Sequence, residues 1–294
     1  PLAARVLRQA GFDAVCLANN HIFDHGQTAL ADTLKALTGF GLKYFGGGLD
    51  FGQACRPLFL KRKGLRIGML AFAENEFCCA SGTSGGAAPL EPLGNMDLIR
   101  RVRKKCDVLI VCVHGGTEYH PIPSPRIVRT YRAFADAGVS AVIGTHPHIP
   151  QGCEVHHGVP IIYSLGNFVF DRVPHTGRLS TWWRGYMVRL SFRGALFSGL
   201  EVVPHEQSQD TARIVRLRGR AEGHFLRFLD YISRPLKDAQ ALGQWFDSWC
   251  CLHGPATMGR LTSSEYLPGT PTYRSHALIL RNLLVCEAHH ELLC

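Results

Sequence analysis

Three times in its first 150 residues the chain runs an apolar, strand-like stretch straight into a loop crowded with ligand-type side chains. Ala14–Ala18 (AVCLA) leads into Asn19-Asn20-His21-Ile22-Phe23-Asp24-His25-Gly26. Asp107–Val113 (DVLIVCV) leads into His114-Gly115-Gly116-Thr117-Glu118-Tyr119-His120, and Ala141–Gly144 into Thr145-His146-Pro147-His148. A short uninterrupted apolar run is the pattern of a strand covered on both faces. Open α/β sheets place their ligands outside the carboxyl ends of such strands. The pattern therefore predicts an α/β protein whose loaded loops share one sheet edge. Pro147 fixes φ at about −65° and removes a backbone donor, so its turn is stiff. Two imidazoles on a stiff turn suit a metal ion or an anion, because little entropy is lost in positioning them. A surface turn with two solvated histidines is the alternative reading.

Between these stretches the punctuation predicts helices and hairpins. Leu2–Ala10 is amphipathic and stops at Gly11, Gln27–Leu37 is a second helix, and Met96–Lys105 a basic third. Ser124–Ala137 carries a full boundary signature, with Ser124 as N-cap, Pro125 in the first turn and Gly138 beyond the end. Phe59–Lys61 and Arg66–Ala73 flank Lys63-Gly64 as a hairpin. Gly46-Gly47-Gly48 lacks the following Lys-Ser/Thr of a phosphate loop and reads as a turn. Glu74–Pro92, rich in Gly, Ser, Ala and Pro, reads as a mobile loop, either a lid over the cleft or a plain surface loop. Beyond Asp171 the pattern changes. Gly185–Phe192 and Gly199–Pro204 form an antiparallel pair around Arg193-Gly194, and Ala221–Leu229 and Asp238–Cys250 are helical. A helix is also predicted from about Ser275 to Leu293. These patterns divide the chain into a domain over residues 1–204 and a mainly helical extension over 205–294.

The formal net charge of +9 is scattered and not interleaved with aromatics. It favours anionic small ligands or polymers over sequence-specific nucleic acid as partners. No stretch is long and apolar enough to span a bilayer. The 11 cysteines form no Cys-x-x-Cys pair, and Cys16 and Cys112 fall inside strand runs. The set reads as mostly free thiols and leans towards a reducing compartment. The chain opens on Pro-Leu-Ala and is helical in pattern at once, the expectation for a segment that begins inside a longer protein.

Four motifs stand out together: Asn19-Asn20-His21-x-x-Asp24-x-Gly26, His114-Gly-Gly-x-Glu118-Tyr119, Gly144-x-His146-Pro147-His148-x-x-Gln151 and Tyr163-Ser164-Leu165-Gly166-Asn167-Phe168. As a set they resemble the motifs of the capsule-synthesis protein CapA family. They appear in family order between Pro1 and Asp171. The resemblance implies a layered α/β sandwich of metallophosphoesterase type, with mixed sheets flanked by helices and a helical C-terminal appendage. It also implies a strand ending in Gly-Asp ahead of Pro1, which this sequence does not contain, and with it the carboxylates that would neutralise two dications.

Carried over residue by residue, Asn20, His114 and His146 would ligate one divalent ion (Mn, Zn or Fe, its identity unknown), and His148 a second. His21 would be the acid near the leaving oxygen, or a group just behind the ligands there. Asp24 and Glu118 join it in the catalytic set as carboxylates that orient a histidine, each equally readable as a helix cap or a surface ion pair. Tyr119 and Asn167 would bind substrate, with Asn167 equally readable as a turn former. The implied activity is metal-dependent hydrolysis of an amide or phosphoester in an anionic polymer, in capsule or poly-γ-glutamate biosynthesis. The alternative is a non-catalytic polymer-binding or scaffold subunit of a synthesis or export complex, membrane-associated through residues ahead of Pro1. Outside the motifs, the adjacent His156 and His157 are expected on opposite hairpin faces, towards solvent. Trp182-Trp183 reads as a core or rim piece, and His289-His290 as surface.

Overall fold

Three parallel strands form the centre of the protein, and each is an apolar run with helices against it. In the computed structural model, which describes residues 1–170, 180–208, 213–261 and 285–292, these are β5 (Leu65–Ala73), β7 (Val108–His114) and β8 (Ala141–Thr145). β7 pairs in parallel with both neighbours, and β8 continues in parallel to β10 (Val159–Ile162). Antiparallel strands close the two edges, β4 (Leu58–Arg62) beside β5 and β9 (Cys153–His156) beside β10. The sheet order is thus β4-β5-β7-β8-β10-β9.

A separate pair, β1 (Ala14–Cys16) and β2 (Lys43–Phe45), is also parallel, so the first loaded loop leaves a different sheet from the other two. The expectation of a single shared sheet edge is corrected accordingly. A third sheet joins β11 (Arg184–Arg193), β12 (Leu196–Gln207) and β13 (Ile214–Arg216), while β3 (Gly47–Gly48) pairs with β6 (Gly86–Ala87).

Helices α1 (Leu2–Gln9), α2 (Gly26–Gly39), α4 (Pro92–Arg103) and α5 (Pro125–Asp136) form where the punctuation places them, within a few residues. The short α3 spans Phe51–Ala54. Ser124 caps α5 by accepting the Ile127 N–H, and the helix buries Ile127, Tyr131 and Phe134 against the sheet. β12 runs through the predicted boundary at residue 204. Ile162 and Tyr186 share a core with Phe225, Leu229 and Ile232 of α6 (Arg220–Ser233), so the helical part packs on the sheets. α7 (Ala239–Leu261) and a short helix, Glu287–Glu291, complete the described chain. Most of the helix expected from Ser275 lies outside the described residues. The architecture is mixed α/β, with multi-stranded sheets flanked by helices.

The segment 74–92 is not the loose loop its composition suggests. Its backbone is tied down by Ala80 N–H to Ala87 O (2.8 Å), Ala87 N–H to Cys78 O (2.7 Å) and Ala88 N–H to Gly46 O (3.1 Å). Ala87 and Ala88 are fully buried. The small residues serve close approach: a Cβ on Gly86 would lie 2.1 Å from the Cys78 carbonyl oxygen.

Candidate metal-binding cleft

The segment 74–92 starts where β5 ends, so Glu74 and Glu76 emerge beside His114 from β7 and His146 from β8, at the carboxyl ends of adjacent parallel strands. Asn20 arrives from the loop after β1. The side chains meet closely. Asn20 Oδ1 lies 3.0 Å from His114 Nε2, and His146 Nδ1 lies 3.2 Å from the same nitrogen. These spacings match the edge between neighbouring ligand atoms around an ion with bonds of about 2.1 Å.

Hydrogen bonding decides which atoms face inward. The Asn20 amide donates to Glu76 Oε2 at 3.0 Å, which turns its carbonyl oxygen towards His114. Glu76 Oε1 sits 3.4 Å from His146 Nε2, while Nδ1 of the same ring faces His114. Thr145 Oγ1 donates to the Val113 carbonyl and accepts from His114 Nδ1 (3.2 Å), which leaves the His114 Nε2 lone pair in the cleft. The His114 tautomer is the one the network assigns. Three ligand-type atoms thus converge, each able to present a lone pair to a cation. One amide oxygen and two imidazoles suit Zn, Mn or Fe. Burial first, then the neighbouring His146, His148 and His21, hold the His114 pKa well below the ordinary histidine value. The ring is therefore neutral, as a ligand must be.

Glu76 is the residue that sequence reasoning missed. It is buried and supplies carboxylate charge beside the cluster. Its only local signal is its place three residues beyond an apolar strand. Glu74, almost fully buried, points elsewhere: it accepts from the Gly116 N–H (2.8 Å) and pairs with Arg126. Gly115 permits this packing, since a Cβ there would stand 2.7 Å from Glu74 Cγ.

His148 lies next to the cluster, its ring 6.1 Å from that of His146, but its nitrogens are engaged otherwise. Nδ1 is 2.9 Å from Asn167 Oδ1, and Nε2 is 3.6 Å from Glu118 Oε1, an ion-pair distance. Its ring stacks on Trp182, with Tyr119 and Phe170 around it. Trp182 is accordingly a buried rim piece. His21 points outward, with Nδ1 bound to Asp24 at 2.8 Å, and does not join the hydrogen-bonded cluster. Among the described residues, five non-glycine positions have positive φ, and three of them line this cleft: Tyr119 (62°), His146 (104°) and His148 (62°). Such conformations cost about 1–3 kcal/mol each, persist only where packing enforces them, and cluster at functional sites.

A strand-end cleft of Asn, His and Glu in a layered α/β protein defines a class with the donor chemistry of a cation site. Residues 1–172 match the family described as bacterial capsule synthesis protein PGA_cap, and the chain belongs to that family. It is 33% identical over 173 residues to the PGA biosynthesis protein CapA of Bacillus subtilis, covering 58% of this chain and 46% of that one. It is 33% identical over 180 residues to the capsule biosynthesis protein CapA of Bacillus anthracis, covering 57% and 42%. The chain thus spans less than half the length of these relatives. A hypothetical protein from Thermus thermophilus aligns in structure with a TM-score of 0.45 at 18% identity, covering 70% of this chain and 81% of that one.

Proposed function

We propose that this chain carries the metal-binding core of a hydrolase acting on an amide or phosphoester bond of an anionic polymer, in capsular poly-γ-glutamate biosynthesis. The observation that carries the reading is the convergence of Asn20 Oδ1 and His146 Nδ1 on His114 Nε2, at 3.0 and 3.2 Å. Those three atoms would hold a divalent ion. Such an ion supplies Lewis acidity towards an ester or amide oxygen.

The remaining roles fall to the chain's own side chains. Glu76 keeps Asn20 and His146 turned inward, and Thr145 keeps the His114 proton on Nδ1. Asn167 accepts from His148 Nδ1 and so leaves Nε2, beside Glu118, as the ring atom that would serve a second ion. Tyr119 closes the wall beside it. His21, with Nδ1 held by Asp24, offers Nε2 to a leaving group arriving from solvent. The excess of 32 Lys and Arg over 23 Asp and Glu favours a polyanionic substrate.

Metal analysis of the purified protein and of His146→Ala, with a panel of γ-glutamyl amides and phosphoesters, tests the reading. One equivalent of bound divalent ion, and the turnover, are both expected to disappear in the variant. Retention of both, or absence of any bound divalent ion in the wild type, overturns it. The same basic excess supports a second reading, a polymer-binding scaffold. That reading expects poly-γ-glutamate binding to survive in the double variant His114→Ala/His146→Ala with no turnover in either form.

A further inference from the structure

We propose that Asp136, His156 and His157 form a separate site for a divalent transition-metal ion, on the opposite rim of the six-stranded sheet from the cleft. The proposal does not depend on the function assigned to the cleft. Its position follows from topology. β10 runs parallel to β8 with Ile161 beside Val142, so the turn ahead of β10 lies at the amino end of β8. His146 leaves the carboxyl end of β8. Asp136 closes α5 just ahead of β8, and so it reaches the same far rim.

The two adjacent histidines are not on opposite faces, and this corrects the expectation from strand alternation. His157 and Gly158 both take left-handed φ values, 49° and 83°, as the two central residues of a tight hairpin turn. The turn swings His157 round beside His156, and their ring centroids come within 4.0 Å. His156 Nε2 and His157 Nδ1 each lie 3.0 Å from the same oxygen, Asp136 Oδ1. Among the described residues this is the one set of three His, Cys, Asp or Glu side chains whose ligand atoms all fall within 4.8 Å of one another.

An ion from solvent can reach the set, since the His157 side chain is 76% exposed and that of Asp136 52%. The backbones that carry it are fixed. α5 buries Phe134 and Ala135 immediately before Asp136, and the β9–β10 ladder pairs His156 with Val159. Little ordering is therefore left for binding to impose. Two imidazoles and one carboxylate, with the other positions open to water, fit Zn²⁺, Ni²⁺ or Cu²⁺. They do not fit Ca²⁺ or Mg²⁺, which select oxygen ligands. A bound ion would pin the hairpin turn to the end of α5.

The test titrates Zn²⁺ alone into His114→Ala/His146→Ala, in which the cleft has lost two nitrogen ligands, and into the same protein with His157→Ala added. The first should bind about one equivalent. Adding His157→Ala should weaken binding at least about tenfold, the loss that even an outer-sphere change brings at a metal site. Because the His157 side chain is exposed, the unfolding midpoint in chelator should not move. Equal Zn²⁺ affinity with and without His157 overturns the proposal. If the cleft variant does not fold, His157→Ala in the wild-type chain is read instead: loss of one zinc equivalent supports the site, and an unchanged count overturns it.

Discussion

At the residue scale, Glu76 is where one side chain decides most. One of its oxygens accepts from Asn20 and the other lies 3.4 Å from His146, residues 56 and 70 positions away in sequence. Glu76→Ala should weaken Mn²⁺ or Zn²⁺ binding by about 10–100-fold while the helices stay folded, measured by calorimetric titration and circular dichroism. Unchanged affinity would mean the three inward atoms are oriented without it. His120 sets a second, independent expectation. Burial holds its pKa down at about 4, and its ring packs 4.5 Å from that of Trp249 and 5.9 Å from that of Phe246. The unfolded chain takes up this proton near pH 6.5, and the folded one only near 4. The stabilisation is therefore complete above about pH 6.5 and is lost as the pH falls towards 4, a change of about 3 kcal/mol. Urea unfolding between about pH 4.5 and 7 should show this slope in the wild type and a shallower one in His120→Phe.

At the scale of elements, β8 and α5 position the cleft. Gly144 precedes the Thr145-His146 pair, and a Cβ on it would stand 1.9 Å from the Tyr163 carbonyl oxygen of the neighbouring chain segment. Backbone cannot give way as a flexible side chain can. Gly144→Ala should cost at least about 3 kcal/mol, read as a lowered unfolding midpoint or loss of soluble protein. Ser124 tests the helix by a gentler change. Its buried hydroxyl accepts the Ile127 N–H at 3.3 Å, and Ser124→Ala should cost about 1 kcal/mol in urea unfolding. The boundaries of α5 were legible because a cap, a first-turn proline and a following glycine are all local. The segment 74–92 was not legible, because its partners at Gly46 and His114 are distant in sequence and its small residues mimic loop composition.

At the scale of the whole molecule, Arg126 ties the cleft wall to the far end of the described chain. It pairs with Glu74, and at 2.9 Å with Glu291, 165 positions away. Removing one partner of a buried pair leaves the other charge without compensation. Arg126→Ala should therefore destabilise the protein by about 3 kcal/mol or more in chemical denaturation. No helix among the described residues is long and apolar enough to cross a membrane.

Residue order alone determined the central strands and the capped helices, since burial of an apolar run and the chemistry of a cap act over a few neighbouring positions. It also determined that Asn20, His114, His146 and His148 would stand at strand ends. Tertiary structure decided how they meet. It carried Asn20 across from a second sheet, brought Glu76 beneath it from a segment that resembled a loose loop, left His21 facing solvent, and folded His156 and His157 onto Asp136. Each of these outcomes rests on contacts between distant parts of the chain or on a left-handed turn, neither of which leaves a periodic trace in the order of residues.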